Sequence, residues 1–94
     1  MRLNKTEREI IKNTVKNLDG KAKIYLFGSR VDNKKKGGDI DLLVISSKLN
    51  FSHKLKILRL LYEKLGEQRI DLVIKENIKT DPFVKTIIES AAEL

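Results

Sequence analysis

Asp39 and Asp41 stand one residue apart at the head of the apolar run DIDLLVI, residues 39–45. Side chains alternate between the faces of a strand, so residues two apart point the same way. Strand rise sets the two Cβ atoms about 6.5–7 Å apart, a span that a divalent cation can bridge. Two like charges held together in an apolar strand are unfavourable unless a cation compensates them. Magnesium suits the pair, because it takes hard oxygen donors and commonly combines one or two carboxylates with substrate phosphates. Gly28-Ser29 directly follows the apolar stretch KIYLF. A Gly-Ser pair at a strand end can aim backbone N–H groups at phosphate oxygens, with glycine admitting close approach and the hydroxyl adding a donor. Alone, the pair is equally an ordinary turn. Followed by a short loop and two carboxylates, it brings triphosphate and cation together, as metal-assisted nucleotidyl transfer requires. Asp71, in Ile70-Asp71-Leu72, is a third acid in an apolar stretch. It is either an inward-facing acid that holds a second metal or acts as general base, or an exposed residue at a strand end.

These residues need strands to carry them. Lys23–Phe27, Asp39–Ile45 and Ile70–Lys75 read as three strands, the second with an apolar run that suits a central position buried on both faces. The roughly ten residues between the first two are too few for a parallel crossover through a full helix, which predicts an antiparallel pair or a short helical turn. Residues 5–19 read as a helix opened by a Thr6/Glu9 capping box and closed at Asp19-Gly20. Residues 52–66 read as a second, capped by Asn50 or Ser52. Asp81-Pro82 opens a third, with Asp as N-cap and Pro at the first helical position; Phe83, Val84, Ile87, Ile88 and Ala91 supply its inner face. The expected architecture is one α/β (α+β) domain over 1–94. It has a small mixed sheet of three to four strands flanked by helices, in the order α-β-(short α)-β-α-β-α.

Composition sets outer bounds. Ninety-four residues make one domain. A 40% hydrophobic and 35% charged composition is that of a globular chain. With no cysteine there is no disulfide framework or thiolate metal site, and a reducing cytoplasm is the expected compartment. No apolar run reaches membrane-span length and no signal peptide is visible. Twenty basic against 13 acidic residues give a formal charge of +7, which favours anionic partners or is simply a solvated lysine-rich surface. Walker A, His-Glu-x-x-His and dinucleotide-fingerprint motifs are missing. Tyr25, Phe27, Phe51 and Phe83 are too scattered to form an RNA-stacking platform.

The stretch Phe27-Gly28-Ser29-Arg30 … Gly38-Asp39-Ile40-Asp41-Leu42-Leu43-Val44 resembles the signature of the polymerase-β-like nucleotidyltransferase superfamily. Within it, the short chain resembles the minimal nucleotidyltransferases, including the MntA-type antitoxins paired with helical HEPN proteins. The chain departs from that pattern in its nine-residue spacer between Ser29 and Asp39, in Gly38 where serine is common, and in Lys34-Lys35-Lys36. The resemblance implies that Gly28 and Ser29 hold the triphosphate of ATP. Asp39 and Asp41 would bind magnesium, with Asp71 as the third carboxylate that activates the acceptor hydroxyl. Two magnesium ions would clamp an in-line attack on the α-phosphorus, with pyrophosphate leaving. The implied acceptor is a tyrosine of a HEPN-type protein toxin, and AMP is the group transferred.

Other residues divide between roles. Arg30 either reaches phosphate, or covers its loop and pairs with Asp32. Lys34, Lys35 and Lys36 either meet an anion or form a solvated loop. His53 reads as a surface residue and Tyr62 as packing. Tyr25 belongs to the core or to a nucleotide cleft. Ile57, Leu60 and Leu61 widen the apolar stripe of the second helix, either as core or as a contact face for a partner or a homodimer. A non-catalytic module that occludes its partner, and transfer to RNA or a small molecule, are the competing functions. Nucleic acid is disfavoured, because so short a chain has no room for an RNA-holding domain.

Overall fold

A computed structural model describes residues 3–28, 40–66, 68–79 and 81–94. Its elements run α1 (Lys5–Lys16), β1 (Lys23–Phe27), β2 (Ile40–Ile45), α2 (Phe51–Leu65), β3 (Ile70–Lys75), α3 (Pro82–Ile88) and β4 (Ala92–Glu93). The strands form one mixed sheet in the order β3-β2-β1-β4. β1 pairs antiparallel with both β2 and β4, whereas β2 and β3 are parallel and joined through α2. The expected mixed α/β sheet and antiparallel central pair are therefore present. The fourth strand, a two-residue piece at the C-terminus, is too short to leave a pattern. The short helix expected between β1 and β2 lies outside the described residues. No described helix is long and apolar enough to cross a membrane.

The caps set where the helices begin. Asn4, not Thr6, opens α1: its side chain accepts from the Glu7 N–H at 2.8 Å, and Glu7 accepts from the Asn4 N–H at 3.1 Å. Both Asn4/Glu7 and Thr6/Glu9 fit the three-residue spacing, and the box that forms is the earlier one. α1 ends at Lys16, three residues before Asp19. Asn50 opens α2 by accepting from the Ser52 and His53 N–H groups, while its own N–H donates to His53 Nδ1 at 3.0 Å. His53 therefore has a structural task at a helix start. Asp81 caps α3 as expected, accepting from the Phe83 N–H at 2.9 Å.

Strand alternation divides the core. Ile24, Leu26, Ile40, Leu42, Val44, Ile70 and Leu72 face α1 and α2, packing with Ile11, Val15, Ile57 and Leu61. Tyr25 and Leu43 face the other way, against Val84 and Ile87 of α3. Each fully buried Leu or Ile contributes about 1.5–3 kcal/mol of transfer free energy. Ile57 and Leu61 are wholly buried, so they are core and not a contact face. The apolar side chains that α2 exposes are Phe51, Leu55 and Tyr62. Phe83, expected inside, is half exposed at the first turn of α3.

One polar tie joins the end of β2 to the turn before β1. The Ser46 hydroxyl donates to Asp19 Oδ2 at 2.6 Å and accepts from the Lys48 and Leu49 N–H groups. That hydroxyl holds the Asp19 carboxyl below its ordinary value, helped by the Lys21 N–H and by the charges of Lys48 and Lys21. A depressed folded pKa contributes stability above the unfolded value, and the contribution is lost as pH falls through the folded one. Ser46→Ala should therefore raise the Asp19 pKa, read by NMR titration of its carboxyl. It should also remove part of the stability lost on acidification below pH 3.8. An unmoved Asp19 titration would show that the hydroxyl is not its stabiliser.

Candidate active site

The site sits at the end of the sheet where β1 finishes and β2 and β3 begin. In the antiparallel register Phe27 lies opposite Asp41, and in the parallel register Asp41 lies opposite Asp71. Residues in register share a face, and adjacent strands are about 4.8 Å apart. Phe27, Asp41 and Asp71 therefore form one row across three strands. The next row on that face is Tyr25, Leu43 and Val73, which packs with α3. α3 covers that part of the sheet, and among the described residues no element covers the carboxylate row. Asp41 is half-buried, and Asp71 is exposed. The inward orientation expected for Asp71 is thus replaced by an outward one: among the described residues β3 is an edge strand, and none of their helices lies over its first residues on this face.

Gly28 continues the row. Its φ of +75° lies in the left-handed region, which glycine adopts without a steric penalty. A Cβ at this position would overlap Asp41 Oδ2 and come within 3.2 Å of its Cγ. The glycine therefore lets the Asp41 carboxylate fold against the backbone at the exit of β1.

The donor set fits a hard divalent cation in two respects. Asp41 and Asp71 are adjacent carboxylates, and the missing Cβ of Gly28 gives the Asp41 carboxylate its place at the exit of β1. Among the described residues no group of three His, Cys, Asp or Glu side chains converges. Asp39, the expected companion of Asp41 in the metal-binding pair, lies outside the described residues, as do Ser29, Arg30 and Lys34 to Lys36. Tyr25 is not a cleft residue: it is 8% exposed under α3, and burial pushes its phenol up, with Glu93 adding to the shift. The place of Phe27 beside Asp41 was not legible in the sequence. It follows from the β1–β2 register alone.

Known proteins place the chain by family and by fold. The model of the nucleotidyltransferase domain matches residues 8–94. No curated protein matches the chain in sequence. Among solved structures, the fold is similar to a crystal structure of the toxin–antitoxin MntA-HpeT, in a mutant with two Asp-to-Glu substitutions two positions apart. The TM-score is 0.67 at 23% identity, over 97% of this chain and 71% of that one. With a match spanning both the carboxylate strands and the helices that support them, this chain belongs to the nucleotidyltransferase domain family.

Proposed function

We propose that the protein transfers AMP from ATP to a hydroxyl, a tyrosine of a HEPN-type partner, and so acts as the antitoxin of a toxin–antitoxin pair. The observation that carries the reaction is the register of Asp41 with Asp71 beside Gly28. The toxin–antitoxin identity of the similar MntA-HpeT structure supports the assignment of the partner.

In this reading Gly28 and Ser29 hold the triphosphate tail, and Arg30 adds a charged contact to it. Asp39, Asp41 and Asp71 offer the carboxylate oxygens for magnesium, two ions when the site is full. The bound metal would supply neutralisation of the phosphate oxygens and of the departing pyrophosphate. Asp71, the exposed member of the row, faces the side from which an acceptor arrives. Its carboxylate takes the hydroxyl proton as the acceptor oxygen bonds to the α-phosphorus and the bond to pyrophosphate breaks. A cysteine-free chain suits the reducing cytoplasm in which we place this reaction.

The test is a comparison of ATP labelled at the α- or γ-phosphate, incubated with the protein, magnesium and a HEPN-type partner. Label from the α-position should appear on the partner and survive denaturation, and γ-label should not. Label from both positions, or from neither, rejects AMP transfer. A second reading, neutralisation by occlusion, is favoured by the exposed Phe51, Leu55 and Tyr62 of α2. An Asp39→Asn protein that still protects cells from the partner would select it over catalysis.

A further inference from the structure

β3 ends the sheet, and among the described residues no strand pairs with its outer side. The ladder shows which of its groups face outward. Ile40 N–H donates to Arg69 C=O, and Ser46 N–H donates to Lys75 C=O, each at 2.9 Å. Odd-numbered residues of β3 thus point their backbone groups at β2, and Ile70, Leu72 and Ile74 point theirs away. The Tyr62 hydroxyl reaches the outward Ile70 carbonyl at 3.5 Å, which agrees with this alternation. Among the described residues, Leu72 and Ile74 remain as the donors and acceptors of an open edge.

That edge carries charge at Asp71 and Lys75 but lacks the other usual protections. Natural edge strands are short, bulged, proline-containing or charged to prevent pairing. β3 has six residues and neither proline nor bulge. Four large apolar side chains are exposed among the described residues: Phe51, Leu55, Tyr62 and Phe83. Phe51, Leu55 and Tyr62 fall within about 40° on one face of α2, by a turn of roughly 100° per residue. Phe51 lines a cleft with Val73, Ile74 and Lys75, and Tyr62 touches Ile70, so this stripe runs along the edge of β3. Phe83 lies on the far side of Lys75, whose ammonium is 6.0 Å from its ring.

We propose that a second copy of this chain occupies this edge, its β3 pairing antiparallel with the first about a two-fold axis at Val73. The charges select this occupant and this register. Only registers that oppose outward residues to outward residues can form hydrogen bonds, and four of these are centred on the strand. Centring between Asp71 residues sets the two carboxylates opposite each other. Centring on Leu72 sets Lys75 opposite Arg69, and centring on Ile74 leaves Asp71 opposite Asn77. Centring on Val73 sets Asp71 opposite Lys75 twice, with Leu72 and Ile74 exchanging backbone bonds. The charged pairs then fall at non-hydrogen-bonded positions, where opposed side chains are closest. Lys75 already bonds Asp81 at 3.2 Å, and an ammonium has donors to spare for a second carboxylate. A two-fold axis normal to the sheet keeps both α2 helices on one side, so their apolar stripes meet across the seam. Lys75 of the second copy is thereby brought against Asp71 in the carboxylate row. Asp71 then serves both the seam and the carboxylate row, so the dimer is tested without ATP or magnesium, and its failure leaves the transfer reaction standing.

The test is sedimentation velocity of the full chain over a concentration series, with amide exchange by NMR. The expected species has twice the 10.8 kDa chain mass, with Leu72 and Ile74 amides protected at high concentration and exchanging fast on dilution. Asp71→Lys sets lysine opposite Lys75 and should weaken the dimer at least tenfold, while Asp71→Lys/Lys75→Asp should restore it. A chain monomeric at every concentration overturns the proposal. So does a dimer whose Leu72 and Ile74 amides stay fast, because its interface lies elsewhere. Should a variant fail to fold, the exchange of the unaltered protein decides alone.

Discussion

Asp41→Asn is expected to lower magnesium-dependent nucleotidyl transfer on the order of 10²–10³-fold, the size seen when one preorganised electrostatic contact to a reacting group is removed. The amide keeps the shape of the carboxylate and loses its charge, so the sheet has no reason to rearrange. What goes is a hard anionic donor in the middle of the row, between Phe27 and Asp71. Asp71→Asn should act in the same direction. It should also raise metal-free stability by about 0.2–1 kcal/mol, because like charges directly opposite on neighbouring strands repel. Transfer of α-label and urea unfolding with and without magnesium read the two effects separately. Magnesium should stabilise the unaltered protein more than Asp71→Asn, by linkage. Unchanged transfer in both variants would remove Asp41 and Asp71 from the chemistry.

Gly28→Ala should damage stability and activity together, for two separable reasons. The backbone at +75° places an L side chain in a region that costs about 1–2 kcal/mol. The new methyl would also occupy the position of Asp41 Oδ2, so the carboxylate must swing away. A displacement of about 1 Å at a reacting centre can cost on the order of 100-fold in rate. A double-mutant cycle with Asp41→Ala separates the terms. With the carboxylate gone, Gly28→Ala should retain only its backbone cost. Equal destabilisation in both backgrounds would show that the collision with Asp41 has no energetic consequence.

The extent of β1 and β3, the Asp81-Pro82 start of α3 and the mixed α/β sheet were legible in the sequence. Each depends on groups a few residues apart: alternation within a strand, a cap beside its helix, a loop too short for a parallel crossover. The start of α1 was less so, since Asn4/Glu7 and Thr6/Glu9 satisfy the same spacing and the structure uses the first. The apolar pattern of α2 showed a wide stripe but not which edge of it lay bare. Ile57 and Leu61 went to the core, and Phe51, Leu55 and Tyr62 to the surface. That division depends on where α1 and the sheet stand, which no local period encodes.

For the candidate site, the sequence alone determined the residue types and the one-residue spacing of Asp39 and Asp41, because strand alternation is a property of the chain itself. Asp71 stood out as a lone acid in an apolar stretch, and the resemblance gave it the part of their companion. Only the tertiary structure decided that Asp71 stands opposite Asp41 and faces outward. The two are joined through α2, and a slip of one residue in the β2–β3 register would send Asp71 to the opposite face. The burial of Ile40, Leu42, Ile70 and Leu72 beneath α1 and α2 prevents that slip. The packing of one face of the sheet thus sets the arrangement of the carboxylates on the other.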